Sequence, residues 1–209
     1  NALGARNDIE MIAEYFPSTT QAAVCERYTI YNVSNRTVRV EIPQITTSYT
    51  TDATKGVAGS YVLSVVSDGS GYCTLEPGDN YTFTVAISGR VAGESLASVD
   101  VEKELSARYA FLAELESEMN LETPDETLNR AFAFAKIRAT ESIFRTKGGL
   151  MHGPGGESYY AAIWANDQAE YANPLFGMMR YEKARESAIN SFRHFARYMN
   201  DEYRPIPSS

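Results

Sequence analysis

Histidine and cysteine are the scarcest carriers of chemistry in this sequence: 209 residues hold two of each, and a single Trp. Cys25 and Cys73, far in sequence from His152 and His194, are too few for a zinc cage, which takes a full set of clustered nitrogen or sulfur ligands. The two cysteines form either one disulfide in an oxidising compartment or two buried thiols. Positive charge is short as well, with 19 Lys and Arg against 27 Asp and Glu and a net charge of -8. Nucleic-acid binding draws on clustered basic charge, and so does an anionic membrane surface. Both are poor partners for this chain. No run approaches the roughly 18 consecutive apolar residues of a membrane span, and no charged-then-apolar leader opens the chain. Asn1 stands where Met would start a primary product, which points to a processed or trimmed N-terminus. Uncharged ligands remain.

What is abundant is tyrosine, 14 residues beside nine Phe. A phenol ring presents an apolar face and a polar tip, which suits sandwich cores and sugar surfaces alike. From Tyr28 the hydrophobic period is two. Val38, Val40 and Ile42 alternate with Thr37, Arg39 and Glu41, and Pro43 ends the strand. Tyr28–Val33 and this strand flank Ser34-Asn35-Arg36, which predicts a hairpin. A further strand is expected at Tyr61–Val66. After the Glu76-Pro77-Gly78-Asp79 turn, Tyr81, Phe83, Val85 and Ile87 face one way and Thr82, Thr84, Ala86 and Ser88 the other, until Gly89 closes the strand. Short strands punctuated this often predict an antiparallel β-sandwich over residues 1–97.

Near Ser98 the period becomes 3.6. Leu105, Tyr109, Leu112, Leu115 and Met119 form the stripe of a linker helix over 98–121. Thr123-Pro124-Asp125-Glu126 then reads as a helix start, with Thr at the N-cap, Pro at N1 and Glu at N3. The helix it opens carries Leu128, Phe132, Ala135, Ala139 and Ile143 on one face and ends at Gly148-Gly149; Phe132 and Phe134 read as core. A glycine-rich loop is expected over 147–165. Helix resumes at Trp164, with Asn173-Pro174 breaking or restarting it, and a last helix from Tyr181 to Asn200 carries Ala184, Ala188, Phe192, Phe195 and Met199. So few amphipathic helices cannot cover their own apolar faces, and stacked hairpins need neighbours. The missing partners are either the sandwich or further helical hairpins beyond Ser209, and the second is expected, with the remainder supplied by this polypeptide or by another chain.

The densest stretch of functional groups is 148–171. Glycines relax it, Tyr159, Tyr160 and Trp164 provide flat apolar faces, and Asn166, Asp167, Gln168 and Glu170 provide polar partners. A pyranose needs both kinds of contact. Each residue also has a plain structural role to weigh: Trp164 as a core anchor, Asp167 as a helix-start carboxylate, His152 as a polar loop residue, Glu170 as a solvated one. Asn32, Asn35 and Asn80 begin N-x-[ST] patterns that arise by chance and carry no assigned function.

Tyr159-Tyr160 followed by Trp164-x-x-Asp167, after a sandwich and a linker helix, resembles the six-hairpin glycosidases, the glucoamylase-like hydrolases and their bacterial relatives. The resemblance spans residues 100–205, and the Thr123-Pro124-Asp125 start looks like that of the first toroid helix. It implies a multidomain β plus α chain: sandwich 1–97, linker helix 98–121, and the opening of an (α/α)6 toroid from 122 to 209. Asp167 would then grip sugar hydroxyls, Trp164 would wall the sugar, and Asn166, Tyr160 and His152 would complete the substrate contacts. Asn166 stands where the family commonly has arginine, and an amide cannot supply a charged fork, so the resemblance does not carry over the identity of the substrate. The implied reaction is hydrolysis of an oligo- or polysaccharide by two carboxylates, usually with inversion, without cofactor or metal. Those carboxylates come from loops of later hairpins, so they are expected past Ser209. Similar proteins suggest a periplasmic or extracellular site. Two rivals are a carbohydrate-binding module with a helical interaction segment, and a polysaccharide lyase. Lyases place the helical part before the sandwich and hold uronates with basic residues, which the loop after Gly148 lacks until Arg180.

Overall fold

The computed structural model describes residues 8–56, 58–153 and 163–204. They fall into two compact units, 1–111 and 112–209.

In the first unit, β1 (Ile9–Pro17), β2 (Ala23–Asn32), β4 (Thr46–Thr50), β5 (Tyr61–Asp68) and β7 (Asn80–Val91) form an antiparallel sheet in the order β1-β2-β7-β5-β4. β3 (Val38–Ile42) pairs with β6 (Gly71–Leu75) as a separate two-stranded ribbon. The register sorts the side chains by parity. Phe16, Cys25 and Ala86 are cross-strand neighbours on one face and pack with Val99, Val101 and Leu105. Ile30 lies opposite Tyr81 on the other face, where Ile42 and Leu75 of the ribbon cover it beside Val40, Cys73 and Phe83. The alternation along β7 is therefore as its sequence predicts. Cys25 and Cys73 belong to the two different clusters, and both thiols are free. Burial, with Glu104 nearby, pushes the Cys25 thiol up to about 11.

The hairpin expected at Ser34-Asn35-Arg36 is not one. β2 pairs with β1 and β7, while β3 pairs with β6, so this turn carries the chain from one sheet to the other. Asn32 makes the corner. Its Nδ2 donates to the carbonyls of Arg36 (2.8 Å) and Leu75 (2.9 Å), and its Oδ1 accepts from Ser34 N and Oγ. β1, β4 and β6 have no counterpart in the sequence reading, because their patterns are blurred: all five residues of β4 are exposed. Gly89 does not close β7 but pairs with Leu63 inside it.

Helix α1 (Val101–Ser117) belongs to both units. Near its start, the buried Glu104 carboxylate accepts from Ser18 Oγ (2.7 Å), Thr20 Oγ1 and Gln21 Nε2. Desolvation raises its pKa, but the hydrogen bonds from Thr20, Ser18, Gln21 and the Thr19 amide outweigh it and hold the carboxyl below its ordinary value. Tyr109, expected in the buried stripe, is exposed.

In the second unit, α2 spans Glu126–Glu141. Its N-cap is Asp125, two residues later than expected: the carboxylate accepts from Thr127 N (2.8 Å) and Leu128 N (3.4 Å). Thr123 instead pairs with the side chain of Asn129. The helix is rotated from its predicted stripe, since Lys136 and Thr140 are its buried residues while Leu128 and Phe134 are exposed. On that buried face the Lys136 ammonium donates to Leu115 O (2.8 Å) and places a cation at the C-terminal end of α1. Desolvation lowers its pKa against the pull of Glu116 and Glu118.

Past α2, β8 (Ile143–Thr146) and β9 (Gly149–His152) form a hairpin where a continuing helix and then a loop were expected. A π-helical segment (Asp167–Ala172) runs into α3 (Asn173–Met178), and α4 (Glu182–Ala196) follows. The buried side of α4 is made of the small residues Ala184, Ser187, Ala188 and Ser191, whereas Phe192 and Met199 of the predicted stripe are exposed. Among the described residues no helix is long and apolar enough to cross a membrane.

Candidate functional site

Four of the five residues singled out for substrate contact lie in described parts of the second unit: His152 on β9, Trp164 and Asn166 just ahead of the π-helical segment, and Asp167 at its start. Tyr160 falls outside the described residues, as does Tyr159.

The β8–β9 hairpin sets the position of His152. Ile143, Phe144 and Thr146 favour extended backbone, and Gly149 turns the chain with φ +100°, a region suited to glycine. Thr146 Oγ1 closes the turn by donating to Gly149 O (2.8 Å) and accepting from Gly148 N (3.1 Å). Helix α4 holds the hairpin from below: Asn190 Nδ2 donates to Leu150 O (3.2 Å), and His194 Nε2 lies 3.0 Å from Gly148 O. Gly148-Gly149 is therefore a close approach to α4 and not a helix stop.

His152 is buried, with its ring edge-on to Phe176 at 5.6 Å between centroids. Desolvation lowers its pKa, opposed by the nearby Asp167 charge and by the hydrogen bond from Gln168. Gln168, which sequence reasoning listed only as one of four polar residues, proves to be the connector. It is 1% exposed, and its Nε2 lies 3.0 Å from His152 O and 3.2 Å from His152 Nδ1. The π-helical geometry belongs to the same place, because Asn173 N bonds Gln168 O, five residues back. Such π segments occur often at functional sites.

Gln168 Oε1, Asn173 Oδ1 and Ser187 Oγ are buried with no hydrogen-bond partner among the described residues, where most buried polar groups are paired. Asn173 Nδ2 is paired, donating to Ser191 Oγ (2.9 Å). Asn166 is exposed and makes no side-chain capping bond. Trp164 is partly buried, and its carbonyl accepts from Gln168 N. Glu170 is exposed, in keeping with a solvated helix residue. The structure thus brings His152, Asp167 and Gln168 together, and places Trp164 and Asn166 in the same helical turn as Asp167. Among the described residues no group of three or more His, Cys, Asp or Glu side chains could hold a metal ion.

The chain shares its fold with part of a solved protein assigned as a kojibiose phosphorylase from the human microbiome, at a TM-score of 0.55. The match covers 80% of this chain and 30% of that one, with 8% sequence identity. That likeness establishes a shared fold. The chain spans less than a third of the other protein's length. No family model matches the sequence, and no curated protein does.

Proposed function

We propose that this chain is part of a carbohydrate-active enzyme of the six-hairpin glycosidase superfamily, with residues 122–209 opening its (α/α)6 toroid and the turn around Asp167 forming one edge of the sugar site. The observation that carries the reading is the fold likeness to a kojibiose phosphorylase over 80% of the chain. It owes nothing to the Trp164-x-x-Asp167 motif, and it supports the same broad class, an enzyme acting on glycosides.

In this reading Asp167 accepts hydrogen bonds from sugar hydroxyls and Trp164 walls the ring. The exposed Asn166 amide donates and accepts where a charged fork is absent, and Tyr160 adds a second aromatic surface. His152 supplies a further polar contact. Cleavage of the O-glycosidic bond needs an acid and a base that flank it. Neither role is assigned to Glu157 or Glu170, since the resemblance puts both on later hairpins. The remaining helices, from this polypeptide or another, are partners in the same reading, and export to a periplasm or cell surface goes with it.

The acceptor in the reaction is water by the resemblance, with inversion. Phosphate is the second reading, favoured by the name of the structural neighbour. Incubating residues 1–209 with a panel of oligosaccharides, kojibiose included, with and without inorganic phosphate, tests the assignment. Binding without turnover is expected. Turnover in either buffer contradicts the claim that the acid and base lie elsewhere, and the buffer that supports it identifies the acceptor.

A further inference from the structure

We propose that Gln168 is a positioning residue that locks His152 as a neutral imidazole with its proton on Nε2, so that the ring meets a ligand as a hydrogen-bond donor.

The argument is one of donor and acceptor counting. Gln168 places one terminal atom 3.0 Å from His152 O and 3.2 Å from His152 Nδ1. A backbone carbonyl oxygen only accepts. Were the amide oxygen turned toward it, two acceptors would face each other in a buried place, so the amide nitrogen must stand there. Its two hydrogens then serve the two neighbours, one to the carbonyl and one to Nδ1. An N–H on Nδ1 would collide with the second of these, which makes Nδ1 a bare acceptor. A neutral ring has one proton, and it goes to Nε2.

Burial favours the neutral form independently, since a charged imidazolium loses its hydration there. No described residue bonds Nε2, whereas Nδ1 is occupied by Gln168 and the ring meets Phe176 in a T-shaped contact. The same orientation sends Gln168 Oε1 away from His152, where no described residue bonds it.

The consequence deepens the carbohydrate reading and rests on it for the ligand's identity. With Nε2–H as donor and the Asp167 carboxylate as acceptor, the turn offers one group of each kind. Neighbouring hydroxyls on a sugar ring can satisfy both. A ring in this state does not act as a base through Nε2 and does not bind a metal there without giving up the proton.

Nitrogen-15 NMR on histidine-labelled protein tests this directly, because the chain has two histidines and His194→Gln leaves a single imidazole. In the free protein at neutral pH, a bare-nitrogen shift at Nδ1 and a protonated one at Nε2 are expected. The reverse assignment, or averaging of the two nitrogens as in free imidazole, overturns the proposal. Gln168→Glu supplies a group that only accepts, and the proton should move to Nδ1 or the ring should become charged. An unchanged Nε2–H state in a folded Gln168→Glu variant also overturns it. The sugar reading is tested separately by adding the oligosaccharide panel. Movement of the Nε2 signal supports it. An Nε2–H ring that ignores every glycan defeats the sugar reading and leaves the tautomer assignment standing.

Discussion

A Cβ added to Gly149 would fall 2.5 Å from the Asn190 amide nitrogen. The hairpin that carries His152 sits on α4 as closely as two glycines allow, and that spacing fixes the height of the site. Gly148 is pressed in the same way, its Cβ position 2.5 Å from His194 Nε2. Only Gly149 combines the contact with a positive φ, +100°.

Gly149→Ala should therefore lower stability by about 1–2 kcal/mol from backbone strain alone, with a further loss as Asn190 is displaced from Leu150 O. Gly148→Ala meets the end of a flexible ring and should cost clearly less. Thermal melting of the two variants checks the order. Equal melting points would mean that the hairpin is not seated on α4 in this way.

Asn32→Ala should be among the most damaging changes in the β unit. It removes two donors to buried or part-buried carbonyls and the acceptor for Ser34. Removing one partner from a buried hydrogen bond costs roughly 1–3 kcal/mol, and here the Leu75 and Arg36 carbonyls are both left open. Chemical denaturation measures the loss, and a change within error of zero would contradict the assigned corner. The N-x-[ST] pattern at Asn32 is explained in passing: a 2% exposed side chain whose amide nitrogen is already committed is no modification site.

Acid should destabilise the helical unit through His152. Its folded pKa lies below the ordinary 6.5, chiefly by desolvation. The unfolded chain therefore binds the proton first, and stability falls with decreasing pH. The contribution is complete above the ordinary value and is lost as pH drops through it toward the folded pKa. His152→Gln should remove this component of the pH profile between neutrality and mild acid, measured by melting temperature against pH. A wild-type profile that rises toward acid in that window would contradict the assignment.

The legible parts of this molecule are those where period and register agree. β7 alternates cleanly because both its faces pack, and α1 begins where the period changes near Ser98. The illegible parts have physical reasons. β4 is exposed on every residue, so it has no apolar period to read. The Ser34-Asn35-Arg36 turn looks like a hairpin, but pairing depends on partners far along the chain. In α2, Lys136 is buried and donates to the carbonyl of Leu115, and no helical wheel assigns a lysine to the inside. In α4 the expected Ala184 and Ala188 are buried, but Ser187 and Ser191 join them where Phe192 and Met199 were expected, and a search for apolar residues passes over serine. The candidate site was readable as a composition of aromatic and amide side chains. The connector Gln168 was not, because its role depends on the hairpin that brings His152 to it.

The most direct test is to map glycan contact by residue. Amide chemical-shift changes should be followed on adding the oligosaccharide panel to the wild type and to Asp167→Asn. Changes concentrated at 152, 164 and 166–168, weakened at least tenfold in affinity by Asp167→Asn, are the predicted result. Changes confined to the β unit, surviving Asp167→Asn and deletion of residues 120–209, would contradict it and make the chain a binding module instead.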